Sequence, residues 1–300
     1  MIRIFITIIG PIMVIVGLGI LLDRTKTIEV RTLSRVVIYL TQPGLAFYGI
    51  ANASITGTEL SGLVSSFVLT TITITLFAWV ISGLLKMDRL TRSTFMLSMA
   101  LVNVGNYGIP LNEFAFGQPG LERAIIISVV NSFFVNTLGI FLASWGKAPI
   151  SQALTNVFKV PMPYAVVLGV LTNLGYLPTA ELVMRVTKLL GDAAIPLMLI
   201  VLGIQISRTS LQRQGGIMLG VSLTRLVGGA VVGSLFALLL GLQGVTRRVA
   251  VVEAAMPTAV MTSVLATEFE GDSQLVSSII LLSTLLSLLT LPILLYILMN

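Results

Sequence analysis

The chain has 300 residues, 56% of them hydrophobic and 10% charged, with a mean hydropathy of +1.02 and a formal net charge of +6. It has no cysteine and no histidine, which excludes disulfides, Cys/His zinc sites, thiol nucleophiles and histidine acid–base chemistry. So apolar a composition fits no water-soluble domain of this size. The basic excess then speaks of loop orientation and anionic headgroups, not of nucleic acid.

Ten apolar spans are predicted, over residues 4–22, 35–53, 61–85, 94–115, 122–145, 161–177, 183–206, 215–241, 249–267 and 274–298. The first is superficially like a signal peptide, but it is long and no A-x-A-like cleavage site closes it, so it is read as a retained helix. Span two holds Gln42-Pro43-Gly44, a kink with a hinge or packing role. The loops after the odd-numbered spans carry eleven lysines and arginines, Lys147, Lys159 and Arg213 among them, against six on the other side. The positive-inside rule therefore places both termini outside the cytoplasm.

Span four contains N-V-G-N-Y-G-I-P-L-N, residues 103–112. Gly105 and Gly108 weaken helical backbone, and Pro110 removes an N–H and clashes with the turn before it. In hydrocarbon, broken helix persists only where protein or a wet cavity satisfies the freed groups. With Asn103, Asn106 and Tyr107 beside the break, the stretch reads as half of a transport site; a helix kinked for packing is the alternative. Asn131 and Asn136 in span five suit interhelical hydrogen bonds, and Glu113 reads as a solvated interfacial charge.

Asp192 in span seven precedes Ala193-Ala194-Ile195-Pro196, so it serves a helix cap, packing or ion binding. Arg225 in span eight is expected to pair with Glu253 or Asp192, or else to neutralise an anion. Span nine holds Glu253, Pro257, Thr258, Thr262 and Ser263. Glu253 is a carboxylate in a membrane segment, expected to hold Na⁺ or carry H⁺ with Asn106, Thr258 and Asn131 as further ligands. Neither a Walker A sequence nor a pocket-like carboxylate pair is present, so an enzyme is not expected and no cofactor is called for beyond the coupling ion.

The chain also repeats itself. GPIMVIVGLGILL from Gly10 pairs with VPMPYAVVLGVLT from Val160, Pro43 with Pro196, TLFA from Thr75 with SLFA from Ser234, and the run from Ala124 with that from Ser277, at shifts of 150, 153, 159 and 153. Five spans per copy is odd, so the second copy enters the membrane from the opposite face. The expected fold is all-α and polytopic: ten transmembrane helices in two inverted repeats, residues 1–148 and 149–300, with helices four and nine broken and crossing.

The stretch from Asn103 to Leu111 resembles the Asn-x-x-x-x-Gly-Ile-Pro-Leu signature of the auxin efflux carrier family, and the run from Glu253 to Leu298 resembles that family's C-terminal signature. The resemblance spans the whole chain. It implies a fold like that of the bile acid:sodium symporters, a panel domain of helices 1, 2, 6 and 7, a core domain of helices 3–5 and 8–10, and elevator-like motion. It implies a substrate contact at Asn103 and crossing prolines at Pro110 and Pro257; the expected substrate-binding set adds Asn106, Tyr107 and Thr258 at the breaks, and Met162 and Tyr164, which stand where the plant carriers have Asn-Pro-Asn, so that a second substrate asparagine is missing here. Glu253-Ala-Ala-Met-Pro-Thr258 resembles the sodium-coordinating Glu-x-x-Met-Gln-Asn of the bile acid symporters. Together these readings make the protein a secondary transporter of a small organic anion, malate- or malonate-like or auxin-like, in a bacterial-type inner membrane. Its partners are that anion and the lipid bilayer, with a homodimer left open. The alternatives are a carrier of a larger amphipathic anion, and a membrane sensor or channel.

Overall fold

The computed structural model describes residues 2–26, 28–144, 160–209 and 215–300. Lys147, Lys159, Arg213 and the expected repeat boundary at 148–149 lie outside the described residues. The described residues are helical throughout, apart from short turns and one isolated backbone bridge. In chain order the helices are α1 (Ile2–Thr25), α2 (residues 30–51), α3 (Gly57–Leu84), α4 (Arg89–Ala100), α5 (residues 104–116), α6 (residues 118–144), α7 (Met162–Asn173), α8 (Glu181–Ser207), α9 (Gly216–Leu239), α10 (Gly244–Ala254), α11 (Met261–Glu268) and α12 (Ser273–Met299). α5 and α6 form one hydrogen-bonded run, Val104–Ser144, bent at Gly117, whose φ of 65° and ψ of −155° only glycine adopts at little cost. Six helical runs among the described residues are long and apolar enough to cross a membrane.

Local chemistry explains where the helices start and bend. Thr56 and Glu59 form a reciprocal capping box at the start of α3, while Asp88 accepts from the backbone N–H of Leu90 and Thr91 to start α4. The Thr91 hydroxyl, which donates to Asp88 Oδ2 at 2.6 Å, and those backbone bonds hold the Asp88 carboxyl below the usual carboxylate range. Three π-helical turns, Phe5–Ile9, Val37–Thr41 and Val104–Gly108, each lead into a proline: Pro11, Pro43 and Pro110. A proline ring pushes away the carbonyl four residues back and offers no N–H to it, and a wide turn absorbs both effects.

The helices are apolar on their outer faces as well as in the core, and bury hydroxyls among the apolar residues inside. On α12, Ser278, Ser283, Thr284 and Ser287 are buried, while Leu285, Leu289, Ile293 and Ile297 face outward. In lipid, apolar surface costs nothing outside; inside, the Ser278, Ser283 and Ser287 hydroxyls donate to carbonyls one turn back, while Thr284 Oγ1 has no partner among the described residues. Packing divides the described helices into neighbourhoods. α8 lies along α1 and α2, α7 lies on α2, and α3 packs on α4, α9 and α10. The α1–α8 contact is close because Gly19 and Gly203 face the opposing backbone, where a Cβ would overlap it. The turn between α2 and α3 is held at both ends. Asn173 Nδ2 donates to Ala51 O and Ala53 O at 3.1 and 2.8 Å, and Ser54 N–H donates to Glu122 Oε2 at 3.2 Å.

Candidate functional site

Helix stops after Ala100 and resumes at Val104; it stops again after Ala254 and resumes at Met261. The two gaps meet. Asn103 N–H donates to Pro257 O at 2.9 Å and Ala259 N–H donates to Leu101 O at 3.0 Å, an antiparallel bridge pairing Val102 with Thr258. The two segments, over 150 residues apart in the chain, thereby satisfy each other's freed backbone deep in the protein. Other groups complete the junction: Thr258 Oγ1 donates to Ser98 O at 2.8 Å, Thr258 N–H to Ser283 Oγ at 3.3 Å and Asn131 Nδ2 to Val102 O at 3.2 Å.

The break therefore lies at residues 101–103, ahead of the expected Gly105, Gly108 and Pro110. Pro110 sits in regular helix just beyond its π turn, where a missing N–H is tolerated. Pro257 is in the crossing itself and gives its carbonyl to Asn103.

Arg225 departs most from expectation. It is buried, 2% exposed, and pairs with neither Glu253 nor Asp192. Its Nη1 donates to Met99 O at 2.7 Å and its Nη2 to Ala254 O. These carbonyls belong to the C-terminal ends of α4 and α10, where unpaired carbonyls and the negative ends of two helix dipoles converge. One guanidinium serves both. Asp192 pairs instead with Lys188 at 2.7 Å, one turn away on α8.

Glu253 is fully buried in the last turn of α10. Its Oε1 accepts from Asn112 Nδ2 at 2.7 Å, and the same amide donates to Gly108 O at 2.9 Å. Gly108 lies against the carboxylate so closely that a Cβ there would overlap both oxygens. Glu253 Oε2, Asn112 Oδ1 and Asn103 Nδ2 are buried with no hydrogen-bond partner among the described residues.

The expected cation ligands do not gather as one set. Thr258 and Asn131 spend their donors on carbonyls of the crossing, and no hydrogen bond joins Asn106 to Glu253 among the described residues. The partner that holds Glu253 is Asn112, the last residue of the stretch read as a break, which the ligand set above omits. Its one signal in the chain is that it lies four residues past Gly108, one helical turn, which accounts for its bond to Gly108 O but not for Glu253.

Asn106 and Tyr107 sit in the π turn that opens α5. Asn106 is half-buried, and Tyr107 is buried and receives a hydrogen bond from Ser287 Oγ at 3.4 Å. Gln42 of α2 lies against Gly105 and donates to Met198 Sδ of α8 at 3.1 Å. Met162 is buried in the main apolar cluster and Tyr164 is 51% exposed; α7, which carries both, packs chiefly on α2 and not at the crossing.

A cavity of about 580 Å³ lies between α2, the α5–α6 bend and α8, lined among others by Tyr48, Glu113, Lys188 and Asp192. None of the expected substrate contacts lines it. Glu113, read above as a solvated interfacial charge, faces this cavity half-buried.

A family model described as "Membrane transport protein" matches residues 4–153 and 148–295. The chain is 32% identical over 287 residues to an "uncharacterized transporter" of Methanothermobacter thermautotrophicus, covering 94% of each chain. It is 27% identical over 292 residues to an "uncharacterized transporter" of Methanocaldococcus jannaschii, covering 92% of each.

Proposed function

The chain belongs to the membrane transport protein family, that of the auxin efflux carriers, and from that premise we propose that it is a secondary active carrier of a small organic anion, driven by Na⁺ or H⁺. The observation that carries this reading is the buried carboxylate of Glu253 at the junction of two interrupted helices, with one oxygen unpartnered. A carboxylate so enclosed without a cationic side chain must be neutralised by a proton or a cation before it is stable in hydrocarbon. Asn112 Oδ1 adds a second oxygen without a partner on the adjoining helix. The N-terminal ends of α5 and α11 begin at the same junction and present backbone N–H groups and positive dipole ends to an anion. Asn103 Nδ2 supplies a further donor.

For the motion, α1, α2, α7 and α8 act as a panel, and the remaining helices slide past it as the core. The tight glycine contact of α1 with α8 supports a rigid panel, and the cavity along α2 and α8 supports a loosely filled seam beside it. The repeat in the sequence supports two inverted halves. The loop charges support a cytoplasmic-membrane location with both termini outside.

The test is uptake of malate, malonate and an indole acid into proteoliposomes under imposed Na⁺ or pH gradients. Glu253→Gln keeps the shape and removes the charge. It is expected to cut gradient-driven uptake by about 100-fold while the melting temperature moves little, a loss on the scale of one essential interaction. Full retention of gradient-driven uptake in this variant ends the coupling assignment.

A further inference from the structure

We propose that the cavity between α2, α5 and α8 binds a solute carrying both a carboxylate and an ammonium group, so that the organic acid transported is an amino acid or a similar zwitterion. This rests on the carrier reading for its role in transport, but not for binding.

The ionisable acids and bases lining the cavity are Glu113, Asp192 and Lys188, two negative and one positive. Lys188 Nζ lies 2.7 Å from Asp192 Oδ2 and 6.0 Å from the centre of the Tyr48 ring. Glu113 has no hydrogen bond or ion pair among the described residues, although it is half-buried. Among the described residues its carboxylate is therefore the one charge lining the cavity that no protein group answers.

A lysine and an aspartate one turn apart on a helix are by themselves an ordinary surface pair of little worth. The unpaired Glu113 across the cavity changes the balance. A dicarboxylate entering here brings two negative charges to walls already one negative charge in excess. A monocarboxylate can take Lys188 only by leaving Asp192 and Glu113 both uncompensated. A zwitterion is the organic acid that adds nothing to that excess: its carboxylate meets Lys188, and its single ammonium sits between Glu113 and Asp192 beside the face of Tyr48, which itself favours a cation, so the walls stay one negative charge in excess where either acid would raise it. The rest of the wall includes Leu45 and Ile195, which suit a short aliphatic chain, and about 580 Å³ is ample for such a molecule.

The experiment measures binding to the purified full-length protein by titration calorimetry, with two matched pairs of probes: alanine against lactate, and 4-aminobutanoate against succinate. In at least one pair the amino member is expected to bind at least tenfold more tightly, and Glu113→Gln to reduce that binding about tenfold while circular dichroism and melting temperature stay unchanged. Lys188→Gln is expected to weaken the same probe. The proposal is overturned if the acid without an ammonium binds as tightly in both pairs, if no probe binds, or if Glu113→Gln leaves the preference intact. Failure of the carrier reading looks different: the amino probe binds in a Glu113-dependent way but is never taken up by proteoliposomes. Conversely, gradient-driven uptake of succinate that Glu253→Gln abolishes and Glu113→Gln spares overturns this inference alone.

Discussion

The crossing has two poles, and they are finished differently. At one, the C-terminal ends of α4 and α10 converge and Arg225 answers Met99 O and Ala254 O with a single guanidinium. At the other, where α5 begins, Glu253 is held by Asn112 alone and keeps an oxygen without a partner, as do Asn112 and Asn103 a polar atom each. Both poles are buried, so burial does not distinguish them. Arg225 Nε is also without a partner among the described residues, so what distinguishes them is the acceptors: the helix-end carbonyls Met99 O and Ala254 O are answered by the protein's own charge, while Glu253 Oε2 and Asn112 Oδ1 are left for a solute or cation to complete.

The sharpest way to break this contrast is to remove the closing charge. Arg225→Met strands two helix-end carbonyls in hydrocarbon, at several kcal/mol each. We expect no folded protein by fluorescence-detected gel filtration, and Arg225→Lys to recover part of it, because an ammonium reaches two carbonyls less well than a planar fork does. A stable, folded Arg225→Met that had merely lost transport would make this pole functional instead. Next in size is Gly108→Ala, whose Cβ overlaps the Glu253 carboxylate. A cost of about 1–3 kcal/mol is expected from overpacking. Glu253→Ala in the same chain should relieve most of it, so a double-mutant cycle on melting free energies should show coupling of about 1 kcal/mol or more. Additive effects would mean that the two groups are not in contact. The smallest effect is expected at Asn173→Ala, which frees the turn between α2 and α3 from α7 but leaves Glu122 holding Ser54. Because Asn173 is exposed, its loss should cost about 1 kcal/mol or less. In the elevator reading, uptake should change by less than about threefold.

Much of this was readable beforehand, and for local reasons. The apolar length of each span and the prolines at 110 and 257 act within a few residues, so they announce helices and their interruptions from the chain alone. The first gap nonetheless lies a few residues ahead of the glycines and proline that announce it. A proline near the start of a helix is tolerated, so Pro110 marked the turn where α5 begins and not the gap before it. Of the two asparagines expected to bond between helices, Asn131 reaches across to Val102 O in the gap, while Asn136 donates to Ser132 O one turn back on its own helix. Asn112 was passed over because nothing in its immediate neighbourhood points to Glu253, which is 141 residues away.

The amino-acid sequence by itself determined a helical chain built for lipid, the location of its polar interruptions to within about two turns and its membership in a family of transporters, because hydrophobic length and backbone breakers are properties of short segments. Only the tertiary structure decided that Arg225 caps two helix ends and not a carboxylate, that Asn112 holds Glu253, and that Glu113, Asp192 and Lys188 share a cavity. Those pairings depend on which helix ends approach one another in space, and a buried donor can bond only to an acceptor that the fold brings within reach, whatever its distance along the chain.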